Sequence, residues 1–202
     1  MIGERTNKTY VTHETYMSYS SNQKLILPHG GYRNLKSFQT AQIIYDLTVI
    51  FCERFIDRTH GTNRTYDQMV QAARSGCQNL AEGSEVSGTS KKMEIKLVGV
   101  ARGSLEELLR DYEDFLRQKR LFLWKKDDSK VLEIRKRSYE AYKTYKTYLS
   151  YLQSPESAAN CLVCLVNQAN FLIDRQLKSL EEELLKNGGF TERLYSLRKS
   201  SR

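Results

Sequence analysis

The sequence of 202 residues contains only two prolines and three histidines. Both prolines, Pro28 and Pro155, stand where helical patterns are interrupted, and the scarcity of proline elsewhere favours long helices. No apolar run reaches the roughly 18 residues that a membrane-spanning helix needs, and residues 1–27 lack the hydrophobic centre of a signal peptide. The sequence therefore predicts an all-α, soluble and cytoplasmic protein without a membrane span.

The scarcity of metal ligands and catalytic bases argues against an enzyme. The histidines are His13, His29 and His60. None lies in a predicted helix, which excludes the inward-facing Glu-x-x-His pairs of a di-iron bundle. The cysteines are Cys52, Cys77, Cys161 and Cys164. The last two form a C-x-x-C without a second pair or a histidine partner, so buried, reduced thiols are favoured over a metal or redox site. We expect no metal, no cofactor and no enzymatic activity.

Helical periodicity organises the rest of the chain. Apolar residues recur every three or four positions, and Gly61, Gly88 and Pro155 interrupt the pattern. The pattern predicts helices over residues 34–57, 65–83, 91–120, 129–152 and 156–186. Residues 1–31 are predicted to form an N-terminal arm, residues 32–190 one helical domain, and residues 191–202 a fraying C-terminal tail.

Residues 68–83 carry the clearest contact surface of the predicted fold. One helical face, which we call the small-residue seam, consists of Met69, Ala72, Ala73, Gly76 and Leu80. Such a face lets a neighbouring helix approach closely, and Gly99 and Gly103 on the next helix are predicted to pack against it. Asn79 and Glu82, near the predicted helix end at Gly83, are expected to hydrogen-bond backbone N–H groups of the following loop. This structural role is favoured over a catalytic one, because no base, nucleophile or metal partner accompanies them.

Positive charge is concentrated in one part of the chain, residues 117–146, which we call the basic stretch. Eleven Lys and Arg oppose four Asp and Glu there, so the basic stretch holds seven of the eight net positive charges. Its basic residues are Arg117, Lys119, Arg120, Lys125, Lys126, Lys130, Arg135, Lys136, Arg137, Lys143 and Lys146. Such a cluster indicates phosphate binding that is independent of base sequence and sensitive to salt. An ordinary solvated helix face is the alternative interpretation.

Aromatic residues are interleaved with this charge. Trp124 precedes five tyrosines that stand at every third position from 139 to 151. On an α-helix this spacing drifts by about 60° per step, so we expect the rings to wrap around the helix, some of them buried and others free to stack on bases.

Several short motifs are spread along the chain. They are Tyr32-Arg33-Asn34-Leu35, Gln68-Met69, Ala72-Ala73, Asn79-Leu80-Ala81-Glu82-Gly83, Ser90-Lys91-Lys92 and Gly103-Ser104-Leu105-Glu106-Glu107-Leu108. Together these motifs resemble the 23S ribosomal RNA intervening-sequence family of four-helix-bundle proteins. The branch with a longer final segment, the four-helix-bundle suffix proteins, is resembled by Asp174-Arg175-Gln176-Leu177, Leu180-Glu181-Glu182-Glu183 and Gly188-Gly189-Phe190. The likeness covers residues 32–194.

The resemblance implies an up-down-up-down four-helix bundle, with the predicted 129–152 helix as an additional segment before the last core helix. It also implies a non-enzymatic, cyclic homo-oligomer, a pentamer as in relatives, and a role with RNA or DNA. Related accessory proteins of diversity-generating retroelements are basic pentamers that work with a reverse transcriptase, so a protein partner of that kind is implied as well. A ring repeats a basic surface by symmetry and sums its field.

This chain departs from the family pattern in one helix. Val70-Gln71 stands where relatives carry paired arginines, and Arg74 is the basic residue that remains nearby. The alternative function is a protein–protein interaction module that does not bind nucleic acid.

Overall fold

The computed structural model describes residues 24–57, 63–140 and 143–201. This part of the chain folds into α helices and short 3₁₀ helices and contains no strand, which confirms the all-α prediction. The α helices are α1 Lys36–Phe55, α2 Asn63–Val86, α3 Lys91–Gln118, α4 Ser129–Arg137, α5 Pro155–Asn187 and α6 Phe190–Ser200. The 3₁₀ helices span Tyr32–Asn34 and Tyr145–Gln153. Most of the predicted arm lies outside the described residues, as do His13, His60 and Tyr142.

Local sequence signals explain several helix ends. The Ser90 hydroxyl accepts a hydrogen bond from the Met93 N–H at 3.2 Å and starts α3. Pro155 occupies the first turn of α5, where its missing N–H has no cost. α5 ends at Gly188, whose φ of 64° is accessible to glycine without strain. None of the helices in the described ranges is long and apolar enough to cross a membrane.

The predicted end of the second helix at Gly83 is wrong, because α2 continues to Val86. Gly83 is buried against α3: a Cβ atom built on it would lie 3.4 Å from the Glu94 carbonyl oxygen and 3.5 Å from Val98. A Cβ atom at these distances would make ordinary van der Waals contacts, so Gly83 is an interior residue of α2 and does not terminate the helix. The last turn of α2 is held by the N-terminal segment, since the Gly30 N–H donates to the Ser84 carbonyl at 2.9 Å and the Ser84 hydroxyl donates to the Gly30 carbonyl at 2.8 Å.

The prediction of a single helix over residues 129–152 is also wrong, because two separate helical segments occupy this range. α4 begins where Asp128 Oδ1 accepts the Lys130 N–H at 2.9 Å, and it ends at Arg137. A 3₁₀ helix then starts after Thr144, which exchanges capping contacts with Thr147. α4 packs on α5, whereas the 3₁₀ helix packs on both α1 and α5.

The C-terminal tail forms a helix, in contrast to the predicted fraying. The Gly189 N–H donates to Glu192 Oε2 at 2.8 Å, which begins α6. No residue of α6 is buried, so this helix contributes nothing to the core that the other elements share.

The four longest helices contact one another in a closed order. α2 packs on α1 and α3, and α5 packs on α1 and α3. Antiparallel directions follow from cross-helix contacts between α3 and α5, where Arg102 Nε lies 3.0 Å from Asp174 Oδ1 and Glu106 Oε2 lies 3.2 Å from Asn170 Nδ2. From Arg102 to Glu106 the residue number rises along α3, whereas the number of the partner on α5 falls from 174 to 170. The two helices are therefore antiparallel.

The small-residue seam faces α3, but its neighbours there differ from the predicted ones. All five seam residues are buried, and Gly76 lies against Leu105 and the Ala101 carbonyl. Gly99 and Gly103 are exposed, and a Cβ atom built on either would meet nothing within 4 Å. Both lie on the solvent-facing side of α3, so the prediction that they pack against the seam is wrong.

Candidate nucleic-acid interface

The basic stretch unites four neighbouring elements: the end of α3, the connection to α4, α4 itself and the start of the second 3₁₀ helix. Its exposed members are Arg117, Lys119, Arg120, Lys125, Lys126, Lys130, Arg135, Lys136 and Lys146, while Arg137 and Lys143 are half-buried. Arg74 is exposed on α2, which packs against α1 and α3, whereas α4 packs against α5. The structure therefore does not join Arg74 to the basic stretch.

Ion pairs neutralise a minority of this charge. In the described ranges, the carboxylates paired with the basic stretch are Asp114, 2.8 Å from Arg117, and Glu133, 2.8 Å from Arg137. The hydrogen bonds from Arg137 hold the pKa of Glu133 below its usual value. Arg135 donates instead to the Lys126 carbonyl at 3.2 Å, which fastens the connection to α4 and leaves its charge unneutralised.

The tyrosines at positions 145, 148 and 151 do not wrap around an α-helix as predicted. Tyr145, Tyr148 and Tyr151 lie in a 3₁₀ helix, where three residues make a turn, so side chains three positions apart share one face. This face packs inward: Tyr148 is fully buried, Tyr151 is buried and Tyr145 is half-buried. Burial raises the pKa of Tyr148 to about 12. These three rings belong to the core and its margin, whereas Tyr139 is exposed.

A cavity of about 740 Å³ lies beside the basic stretch, between α4 and the outer face of α5. We call it the α4–α5 cavity. Its basic lining residues are Lys36, Lys126, Arg135, Lys143 and Arg175, and its aromatic lining residues are Trp124, Tyr139 and Phe171. Glu113 is the carboxylate among the described lining residues. The volume and the mixture of apolar and polar groups are typical of small-molecule sites.

Two of these basic residues, Lys36 and Arg175, are not among those that the sequence predicts for the interface. Lys36 opens α1 and Arg175 lies in α5, both far along the chain from the basic stretch. Their approach to Lys143 is a product of the tertiary fold, and no local motif marks it. The guanidinium of Arg175 lies 5.9 Å from the centre of the Phe171 ring, and the amino group of Lys130 lies 4.6 Å from the centre of the Trp124 ring.

The lysines of the α4–α5 cavity influence each other. The Lys143 amino group donates to the Ser138 carbonyl. Burial lowers the pKa of Lys143, and the positive charge of Lys36 lowers it further. A cation that is partly withdrawn from water and faces a second cation favours a bound anion, because an anion compensates both effects.

The polar motif residues of α2 have a different role from the predicted one. The Asn79 amide donates to the Ser75 carbonyl at 2.9 Å and to the Ser75 hydroxyl at 3.1 Å. The Ser75 hydroxyl in turn lies 2.9 Å from that of Ser104 on α3. Asn79 therefore supports the α2–α3 contact, and Glu82 is exposed. The predicted hydrogen bonds to the following loop are wrong because the helix extends a further turn beyond these residues.

The cysteines are placed inside the core. All four are buried thiols that belong to no disulfide. Burial raises the pKa of Cys77 and that of Cys164 to about 11, so these thiols are protonated at neutral pH. The described residues contain no group of three His, Cys, Asp or Glu side chains arranged to hold a metal ion.

No family model, no curated protein and no solved structure matches this chain. The likeness to the intervening-sequence family therefore rests on the motifs quoted above, and the geometry of the basic surface carries the functional argument.

Proposed function

We propose that this chain is a non-enzymatic, homo-oligomeric four-helix-bundle scaffold that binds RNA or DNA through the basic stretch. The observation that carries the proposal is the exposed, largely unneutralised charge that α4 and its flanking segments gather on one side of α5. Phosphate binding needs such a surface and does not need a reading helix, so affinity is expected to be independent of base sequence.

The helix contacts support the bundle in this proposal. α1, α2, α3 and α5 each pack on two of the others, as in an up-down-up-down arrangement. α4 and the second 3₁₀ helix form the additional segment before α5, the last core helix. In the proposal the bundle is cytoplasmic and needs neither metal nor cofactor.

Oligomerisation strengthens the proposed binding. The resemblance favours a cyclic homo-oligomer, a pentamer, in which each subunit repeats the basic surface and the fields add. Leu185 near the end of α5 and Tyr195 in α6 are 80% and 69% exposed, so the C-terminal helices offer apolar surface for a second copy. A reverse transcriptase is a further proposed partner.

Mobility-shift assays at about 50 and 200 mM salt test the proposal, because binding through several phosphate contacts weakens steeply over that range. We expect RNA and DNA to shift at low salt and to be released at high salt. Replacing exposed charges, Lys125→Gln with Lys136→Gln, should weaken binding, whereas the control Arg198→Gln with Lys199→Gln on α6 should not. The absence of a shift with every nucleic acid at low salt overturns the proposal. Light scattering measures the oligomeric mass. A monomeric mass would remove the ring from the proposed function.

A protein–protein interaction module is the second candidate, favoured by apolar side chains exposed near α4. Phe122 is 79% exposed, and Leu132 in α4 is 51% exposed. This function predicts that nucleic acid leaves the protein unaffected. It also predicts that Phe122→Ser abolishes partner capture while the lysine substitutions do not.

A further inference from the structure

The charge that lines the α4–α5 cavity is not compensated by the protein. Five basic side chains meet one carboxylate, and none of the five belongs to an ion pair within the described ranges. Lys36 and Lys143 approach each other from α1 and from the segment after α4, so the fold itself brings like charges together. Such a site is complementary to an anionic group of the ligand.

The mouth of the α4–α5 cavity carries exposed aromatic rings. Phe171 is 61% exposed and Tyr139 is 87% exposed, although both line the cavity. The Arg175 guanidinium lies close to the Phe171 ring. A bound inorganic anion would compensate the basic charge but leave these rings exposed to water. A ligand that carries both an anionic group and a flat π-system would compensate the charge and also cover the rings.

Gln168 adds a hydrogen-bonding requirement. It lines the cavity, and both its amide nitrogen and its amide oxygen are buried without a hydrogen-bond partner in residues 24–57, 63–140 and 143–201. An amide offers a donor and an acceptor side by side, which is the pattern that pairs with a base edge. Both atoms are closed off from water, so the contact requires the side chain to turn toward the cavity. Each unpartnered buried atom is costly, which favours that turn when a ligand is present.

We propose that the α4–α5 cavity binds an unpaired nucleotide, with its phosphate among Lys36, Lys143 and Arg175 and its base against Phe171. The inference rests on the proposed function and narrows it to single-stranded nucleic acid. A paired base has its hydrogen-bonding edge occupied and both faces stacked, so a duplex reaches the basic surface but not the cavity. The nucleotide is supplied by a single strand or by a free nucleotide, since both carry the same phosphate and base.

Fluorescence anisotropy with a labelled single strand and with a blunt duplex of the same sequence tests the inference. We expect the single strand to bind more tightly, and Phe171→Ala to weaken it by about 5-fold or more, as loss of one stacking contact does. Phe122→Ala is the matched control, because this ring is also exposed and does not line the cavity. Trp124, the only tryptophan, lines the cavity, so single-strand binding should also change its emission.

Competition distinguishes the two sources of the nucleotide. A nucleoside monophosphate should displace the strand at concentrations where inorganic phosphate of equal ionic strength does not. If the monophosphate binds more tightly than a strand, the source is the free nucleotide; if less tightly, it is the strand. Equal displacement by inorganic phosphate overturns the inference, because the base is then not recognised.

The outcomes separate this inference from the proposed function. If Phe171→Ala leaves single-strand binding unchanged while Lys125→Gln with Lys136→Gln weakens it, the cavity inference fails and the proposed function stands. If the unaltered protein binds neither nucleic acid nor a nucleoside monophosphate, both fail. Because Phe171 is exposed, circular dichroism melting of Phe171→Ala should match that of the unaltered protein.

Discussion

Leu105 of α3 lies so close to Gly76 of α2 that a Cβ atom built on the glycine would be 2.8 Å from Cγ and Cδ2 of the leucine. Leu105 is fully buried, so its side chain has little room to move away. A Cβ atom on Gly83, the other glycine of α2, would lie no nearer than 3.4 Å to α3, so the size of the residue matters most at position 76.

We predict that Gly76→Ala destabilises the protein by about 1–3 kcal/mol through overpacking. The matched controls are Gly99→Ala and Gly103→Ala, which make the same change in a helix where the new methyl group meets open space. Each control should stabilise by about 1 kcal/mol, because alanine is the better helix former. Denaturant unfolding of the three variants measures whether each substitution raises or lowers the free energy of unfolding. A Gly76→Ala variant as stable as the controls contradicts the close contact.

A hydroxyl pair inside the core provides a second comparison. The Tyr112 hydroxyl donates to the Thr48 hydroxyl at 2.8 Å, and the Thr48 hydroxyl donates to the Ile44 carbonyl at 2.6 Å. We predict that Tyr112→Phe lowers the free energy of unfolding by about 1 kcal/mol, because it removes a buried hydrogen bond.

Tyr148→Phe is the control for this prediction. Its hydroxyl is also buried, but it has no hydrogen-bond partner in the part of the chain that the structure describes. Removing an unpartnered buried hydroxyl should leave stability unchanged or raise it. Thermal unfolding should therefore separate the two Tyr→Phe variants, and equal losses would show that Tyr148 has a partner.

Asp111 on α3 is predicted to make stability depend on pH. Burial, together with the negative charges of Glu107 and Asp114, raises its pKa from 3.8 to about 6. The folded state therefore binds a proton that the unfolded state releases between these two values, so stability falls as pH rises from about 4 to about 6. Above that window the buried carboxylate is charged and unfavourable.

Asp111→Asn removes this charge and should stabilise the protein at pH above the folded pKa, with little effect below the unfolded one. Because the side chain is half-exposed, solvent screening keeps the gain to about 1 kcal/mol. Asp67→Asn is the control, since Asp67 is exposed on α2 and is not one of the carboxylates that raise the pKa of Asp111. Urea unfolding across the window measures the slope, and a slope that persists in Asp111→Asn assigns the titration to another group.

Sequence reasoning succeeded where the signal is local. Ser90 and Pro155 mark the starts of α3 and α5 by their own cap chemistry, and Gly188 marks the end of α5. It failed where a residue type serves two purposes. A glycine can end a helix or lie inside one, and Gly83 lies inside α2, where it is buried against α3.

The candidate site was predictable in part. The exposed charge of the basic stretch follows from composition, since lysine and arginine remain in water. The tyrosine spacing of three is compatible with both an α-helix and a 3₁₀ helix, and the second places Tyr148 in the core. Lys36 and Arg175 come from helices distant in sequence, and the antiparallel packing of α1 against α5 brings them to one cavity.

The final prediction concerns Asn160, which fastens the connection between α3 and α4 to α5. Its Oδ1 atom accepts the Trp124 N–H at 2.8 Å, and its Nδ2 atom donates to the Phe122 carbonyl at 2.8 Å. The side chain is 1% exposed. We predict that Asn160→Ala lowers the free energy of unfolding by about 2–3 kcal/mol. The substitution leaves the backbone N–H of Trp124 and the carbonyl of Phe122 without these partners, and it leaves a void where the side chain was.

The same substitution should be visible in the tryptophan signal. Once Asn160 no longer holds the backbone of Trp124, the ring becomes more exposed, and its emission should move to longer wavelength. Asn187→Ala is the control, because Asn187 is exposed at the end of α5 and does not line the α4–α5 cavity. Unchanged emission in Asn160→Ala contradicts the proposed anchoring. Since the connection also carries Lys125 and Lys126, loosening it should weaken nucleic-acid binding in the variant without changing its net charge.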